Sequence, residues 1–329
     1  MDKKSRNILQ YLFWGAVAVL LVWLCLRAVD WAGFGEALRL CRWEWVLLSM
    51  LLGAVVFFIR AVRWRMQLTP LDASASLVTS FNAYNIGTAA NLVLPRIGEV
   101  VRCGYVVKNT SIGLDKSLGT VVVDRLWDAL SLLVAGVLLV LVFWTHFGGF
   151  IVDNYLGAIV SSRSLWVILA AAVLLISALL FLLWKMRGKG GFWTKAWDFA
   201  RGIGDGLTSC LKMRHGYLFI LYTLLIWVGY WLMSYCIILA LKDMEAYAQM
   251  GALDALFLMF AGTISTLIPV PGGFGAYHSV VAGAISSVWG LPFATGMIFA
   301  ILSHESQVIV QALLGIGSYV HESFFRHRP

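Results

Sequence analysis

The chain has 329 residues, 60% of them hydrophobic and 13% charged, and a mean hydropathy of +0.83. An ordinary soluble domain is about half apolar and about a quarter charged, so no water-soluble fold could hide this much apolar surface. The net charge of +8 fits lysine and arginine held in loops beside anionic headgroups and gives no reason to expect a nucleic-acid partner. Cys25, Cys41, Cys103, Cys210 and Cys236 are odd in number with no CxxC pair, which argues against a disulfide framework and a zinc site.

In chain order the apolar segments are Tyr11–Leu26, Trp45–Val62, Ser76–Pro95, Leu118–Phe143, Leu165–Trp184, Tyr217–Leu241, Leu253–Ile268, Ala276–Trp289 and Phe293–Ile316. Several reach the roughly 18–20 residues that cross a hydrocarbon core of about 30 Å. The first follows a basic flank, as in a signal peptide, but no small-x-small cleavage site follows it, which favours an uncleaved helix. Lys3, Lys4 and Arg6, then Arg60, Arg63 and Arg65, and finally Arg326 and Arg328 mark cytoplasmic ends. The stretch from Lys185 to Arg214 carries seven basic residues against two acidic ones, so it too is expected inside. Phe192, Trp193, Trp197, Ile203 and Leu207 are spaced there as on an amphipathic interfacial helix, although a plain connecting helix fits as well.

With those loops inside, the chain between Arg65 and Lys116 leaves and returns to one face. Leu253–Trp289 does the same from the other face, although two ordinary kinked spans there would give the same loop count. The expected fold class is therefore an all-α polytopic membrane protein with about six full spans and two re-entrant or broken-helix hairpins, an arrangement compatible with an inverted repeat. The whole of 1–329 reads as one transmembrane domain, with a first half 1–184 (hairpin 76–116), a cytoplasmic amphipathic linker 185–215 and a second half 216–329 (hairpin 253–290).

Four constellations carry chemistry. In Asn91–Glu99, Pro95 and Gly98 break a helix, and Arg96, Glu99 and Arg102 then fall along one face. Two guanidiniums flanking one carboxylate leave a positive site whose planar forks suit phosphate, while the competing reading places these charges at the membrane–water boundary. Asp124 and Asp128 share a helical face with Arg125 beside them, and a charge in the membrane costs about 2.5–3.5 kcal/mol, so partners are expected. In Ile268–His278, two prolines and three glycines cannot continue a helix, and the helix restarting near Gly275 turns its amides into the break, as at an anion site. His304, Gln307 and Gln311 form one stripe in the last span with Glu305 adjacent, open to a structural, relay or headgroup role. Arg60 and Arg63 either anchor their span or bind headgroups.

In order and separation, NLVLPRIGEVVR, VDRLWD and PVPGGFGAYH resemble the lysylphosphatidylglycerol synthase transmembrane-region family, also called the flippase-like domain family, over nearly the whole chain. Its members include the flippase half of bacterial multiple peptide resistance factors, fused there to a soluble aminoacyl-transferase domain. No such domain is visible here, so the resemblance implies lipid translocation rather than lysyl transfer. It also shows a departure: the family's glycine-rich motif usually ends in glutamate, where this chain has His278. Asp124, where glutamate is common, is a milder one.

The function expected is movement of a phospho- or polyprenyl-lipid between leaflets of the bacterial inner membrane, with proton coupling as one energy source and both termini cytoplasmic. Asn91, Arg96, Glu99, Arg102, Gly272 and Gly273, with Arg60 and Arg63, are the candidate headgroup residues. Asp124, Arg125, Asp128, His278, His304 and Glu305 are candidates for charge balance or proton coupling. No catalytic group, metal or cofactor is expected, and no Walker A sequence is present to use ATP. The expected partners are anionic phospholipid or polyprenyl phosphate, with a second copy of the chain or a separate lipid-modifying enzyme also compatible. The alternatives are a headgroup-modifying membrane enzyme and a scaffold for such an enzyme.

Overall fold

A computed structural model describes residues 31–142, isolated helical positions between 167 and 186, residues 191–208, 213, 215–268 and 270–325. The expected span Tyr11–Leu26, most of Leu165–Trp184, and the tail arginines lie outside the described residues. Every regular element described is helical: α1 (Trp31–Leu40), α2 (Trp43–Leu68), α3 (Leu77–Val93), α4 (Ile97–Asn109), α5 (Leu114–Val142), α6 (Gly191–Thr208), α7 (Gly216–Ala240), α8 (Ala252–Ser265), α9 (Ala276–Trp289) and α10 (Phe293–Phe325), with single 3-10 turns at Glu245–Tyr247 and Pro271–Gly273. Among these, α2, α7 and α10 are each long and apolar enough to cross a membrane. Leu47, Leu51, Leu133, Leu313 and Ile316 point outward along the long helices and are more than half exposed, which suits hydrocarbon rather than water as the surrounding medium.

The helices α2 and α7 form an antiparallel scaffold. Arg42 at the start of α2 donates its backbone N–H to Ala240 at the end of α7, and Arg63 near the far end of α2 meets Thr223. From the far end the chain enters α3, reverses at Leu94–Arg96 and returns as α4. The pairing of Asn82 with Tyr105, and of Gly87 with Gly98, makes this an antiparallel helix pair. Next, α5 runs the length of the molecule and delivers Leu139 to the core around Ile237, Leu241 and Tyr247 at the opposite end.

The second half repeats the pattern with the direction reversed. After α7, helix α8 enters from the Tyr247 end and stops at Ser265, and the chain returns as α9 from Ala276, with Phe257 edge-on to Trp289 near the base. Helix α10 then runs from Thr295, whose carbonyl accepts from the Tyr247 hydroxyl, to Ser318 and His321 beside Asn85 and Asn82. Span, hairpin and span thus occur twice, in opposite senses, and the two tips face each other.

Helix length explains the tips. At about 1.5 Å per residue the 14 residues of α8 or α9 extend about 21 Å, short of a hydrocarbon core of about 30 Å. Local chemistry sets where they stop. Ser76 caps α3 by accepting from Thr79 N–H at 3.0 Å, and Asn91 Oδ1 accepts from Gly98 N–H at 2.6 Å, which satisfies the start of α4 across the break. The feet of the first hairpin are joined by Asp72, which accepts from the Ser111 amide and hydroxyl, each at 2.8 Å. Bonds from Ser74 and Ser111 hold the Asp72 carboxyl well below the usual carboxylate range. Its contribution is therefore present at neutral pH and lost on acidification through that depressed value.

The linker helix α6 packs along α5, with Gly202 against Asp115. Close backbone approach is needed where α3 meets α4: a Cβ on Gly98 would stand 2.1 Å from the Gly87 carbonyl oxygen. Gly98→Val is expected to wedge the hairpin open and lower the apparent melting temperature of purified protein by several degrees. Gly104→Ala, where a Cβ meets nothing within 4 Å, should melt as wild type.

Candidate functional site

Below the first tip, three helices bring charges into the protein interior, and α3 and α7 add hydroxyl groups. On α2, Arg60 and Arg63 are three residues apart, and opposite them on α5, Asp124 and Asp128 are four apart, so each pair projects from one face. Arg63 is fully buried and donates to Asp124 at 2.7 Å and Asp128 at 2.6 Å. Arg60 donates to Asp128 at 3.0 Å, to Tyr230 Oη at 2.7 Å and to Tyr84 Oη at 3.2 Å. Arg102 of α4 reaches Asp124 at 3.4 Å with its guanidinium over the Trp64 ring, 4.8 Å from the centroid. On the more exposed side Arg125 pairs with Glu99 at 2.7 Å.

This geometry corrects two expectations. Arg60 and Arg63 are not boundary anchors, because both side chains are under one tenth exposed and committed to aspartates. Arg96, Glu99 and Arg102 do not form two guanidiniums around one carboxylate. Arg96 precedes α4, in the left-handed conformation (φ 63°), so it leaves the helical face; the partner of Glu99 is Arg125 and that of Arg102 is Asp124. Four guanidiniums nevertheless face three carboxylates, and Arg63 Nε, Arg102 Nε and Glu99 Oε2 are buried without a protein partner. The cluster therefore keeps a positive excess and unused hydrogen-bonding capacity.

The tips meet above this cluster. Exposed Arg96 donates from Nη2 to the Leu267 carbonyl at 3.3 Å, and a Cβ on Gly272 would lie 3.5 Å from Leu92 Cδ2. Gly272 and Gly273 both have positive φ, which glycine adopts without steric cost and which opens the turn toward the neighbouring hairpin. Asn91 bridges its own hairpin through Oδ1.

Beyond the second break, His304 Nε2 is 2.9 Å from the Gly272 carbonyl, and Glu305 Oε1 is 3.1 Å from both His278 Nε2 and His304 Nδ1. Tyr277 Oη meets Ser303 Oγ at 2.8 Å beside them. One nitrogen from each ring and a carboxylate oxygen lie within 4.8 Å of one another, close enough for a cation. The protonation pattern does not fit a ligand set. The Gly275 N–H donates to His278 Nδ1 at 3.4 Å, which leaves Nε2, the nitrogen facing Glu305, carrying the proton.

Comparison with protein families matches residues 11–315 to the lysylphosphatidylglycerol synthase TM region. The chain belongs to that family. No curated protein and no solved structure matched it. Within this lysylphosphatidylglycerol synthase TM region, the place where the resemblance expects glutamate and finds His278 still holds a carboxylate, supplied by Glu305 from α10. Tyr84, Tyr230, Thr223 and Tyr277 complete the two clusters. As neutral residues in apolar helices they gave no sequence signal beyond a hydroxyl in a span.

Leaving a buried ion without its partner costs about 3–5 kcal/mol. Asp124→Asn, which leaves Arg102 without a carboxylate and Arg63 with Asp128 alone, should lower the apparent melting temperature sharply, and adding Arg102→Met should recover part of the loss. Wild-type melting of the single variant would show that the pairing is not what holds α2, α4 and α5 together.

Proposed function

We propose that the chain moves a lipid with a phosphate-bearing headgroup between leaflets of the bacterial inner membrane, its basic loops and both termini on the cytoplasmic side. Two hairpins that enter from opposite faces and touch at their tips suit alternating access, in which a site near midplane is exposed first to one side and then to the other. Arg96 carries the reading. It is the one non-glycine residue with positive φ among those described, it is exposed, and its guanidinium lies against the broken backbone of the other hairpin. Local strain of this kind is a reason to look for function.

A headgroup phosphate would replace the Leu267 carbonyl as acceptor for Arg96, and the planar fork could hold two of its oxygens. Behind Arg96, the surplus guanidinium and the unpartnered Nε groups of Arg63 and Arg102 favour an anion. Anionic phospholipid and polyprenyl phosphate share this chemistry. The buried aspartates prevent the remaining arginines from forming an uncompensated charge when the site is empty.

In proteoliposomes carrying a fluorescent anionic phospholipid, Arg96→Gly keeps the left-handed backbone but removes the guanidinium. A hydrogen bond to a charged group contributes about 1.5–3 kcal/mol, so translocation should slow by about tenfold or more. Arg96→Lys should fall between, keeping charge without the fork. Equal rates for wild type and Arg96→Gly would remove Arg96 from headgroup binding.

A further inference from the structure

The second break is gripped from two sides by groups outside it. Arg96 holds the Leu267 carbonyl, and His304 holds the Gly272 carbonyl. The second grip fixes a protonation state. A carbonyl can only accept, so His304 Nε2 carries a hydrogen. In a neutral His304, Nδ1 would then present a lone pair to Glu305 Oε1 at 3.1 Å, and an ionised carboxylate there has only lone pairs to offer. Two acceptors at that distance repel. His278 cannot resolve the conflict: its Nδ1 takes the Gly275 N–H, and its Nε2–H already occupies the same Glu305 oxygen. One further proton must lie between His304 Nδ1 and Glu305 Oε1.

We propose that His304 and Glu305, with His278 behind them, form a binding site for one exchangeable proton, and that this proton is the coupling ion for movement at the breaks; only the last step rests on the lipid-translocation reading. With the proton bound, the cluster is neutral and every contact is satisfied. Without it, the cluster carries one negative charge and the His304–Glu305 contact turns repulsive. His304 must then shift, and its hold on the Gly272 carbonyl in the Pro271–Gly273 turn is released. That turn lies against Leu92 of the first hairpin, so the proton and the Arg96 tip act on the same backbone.

Among the described residues, the groups facing this pair are few. Tyr277 and His278 come from α9, with the Tyr277 ring 5.0 Å from that of His304, and Phe274 packs edge-on from the break. From α2 comes neutral Ser49, bonded to Gln307 one turn along α10 from His304. Helix α3 contains no acidic or basic residue, α7 contains none, and the lone acid of α8, Asp254, is turned back to the Gly251 N–H. At the tip of the adjoining hairpin the cation is Arg96, bound to Leu267, while Arg102 farther along α4 is paired with Asp124. His304 is nearly covered, whereas the Glu305 side chain is 35% exposed, so Glu305 is the group through which the proton exchanges.

Glu305→Gln separates charge from shape. Both rings meet the same Glu305 oxygen, so the amide must turn slightly to accept from His278 Nε2–H through oxygen and donate to His304 Nδ1 through nitrogen, and it then serves both rings with no added proton. In nanodiscs, histidine labelled with nitrogen-15 should show His304 gaining and losing one proton in a single step in wild type. In Glu305→Gln His304 should remain neutral with its hydrogen on Nε2. In proteoliposomes, a pH gradient should change the wild-type lipid rate several-fold and leave the Glu305→Gln rate unchanged. A wild-type His304 that stays neutral throughout, a Glu305→Gln protein with the wild-type response to the gradient, or a stoichiometric metal lost on His304→Ala would each overturn the proton site. A His304 step that appears as expected in a protein moving no lipid would uphold the proton site and sink the transport reading instead.

Discussion

Backbone that leaves helical geometry inside hydrocarbon cannot turn to water for its hydrogen bonds, so each broken segment needs partners within the protein. In this chain, two such segments lie tip to tip and are satisfied by side chains from elsewhere. Asn91 caps the restart of the first hairpin, Arg96 takes the Leu267 carbonyl, and His304 takes the Gly272 carbonyl. The same groups that let the breaks exist at membrane depth are therefore those best able to respond to a ligand. Replacing either carbonyl as acceptor acts on a segment held by only single-turn backbone bonds, such as Gly273 N–H to Val270 and Phe274 N–H to Pro271, rather than by a continuous helical ladder.

The charge cluster beneath the tips has a different character. Arg60, Arg63, Asp124 and Asp128 are mutually paired and nearly dry, and two tyrosine hydroxyls add to the bonding of Arg60. Buried pairs of this kind add little net stability over apolar packing, but leaving one partner alone is costly, so they favour a single arrangement of α2, α4, α5 and α7. Pairing loosens toward the tip: Arg102 sits 3.4 Å from Asp124, Glu99 leaves one oxygen unpartnered, and Arg96 is exposed. A rigid scaffold thus grades into a group of charges with hydrogen bonds to give.

Much of this was legible in the sequence because the signals were costly ones. Pro95, Gly98 and the PVPGG run cannot sit in uninterrupted helices, and an expectation of basic loops on one face has the chain return to its starting face on both occasions. Aspartates four apart in an apolar run demand cationic partners, although the sequence did not say that Arg60 and Arg63 were those partners. They read as boundary anchors because they stand near the end of an apolar segment, whereas α2 continues to Leu68 and carries them inward. The even spacing of Arg96, Glu99 and Arg102 misled for a related reason: helical periodicity was assumed through Arg96, where the backbone turns left-handed. The meeting of His278 with Glu305 joins positions on two helices, and a single sequence contains nothing that reports such contacts.

The central claim is that the lipid headgroup passes where the two breaks touch. A phospholipid with a photoreactive group beside its phosphate, activated in nanodiscs and mapped by peptide mass spectrometry, tests it directly. The expected result is labelling of both 91–102 and 266–275, reduced in Arg96→Gly. Labelling confined to the outward faces of α2, α7 and α10, with neither break modified, would contradict it.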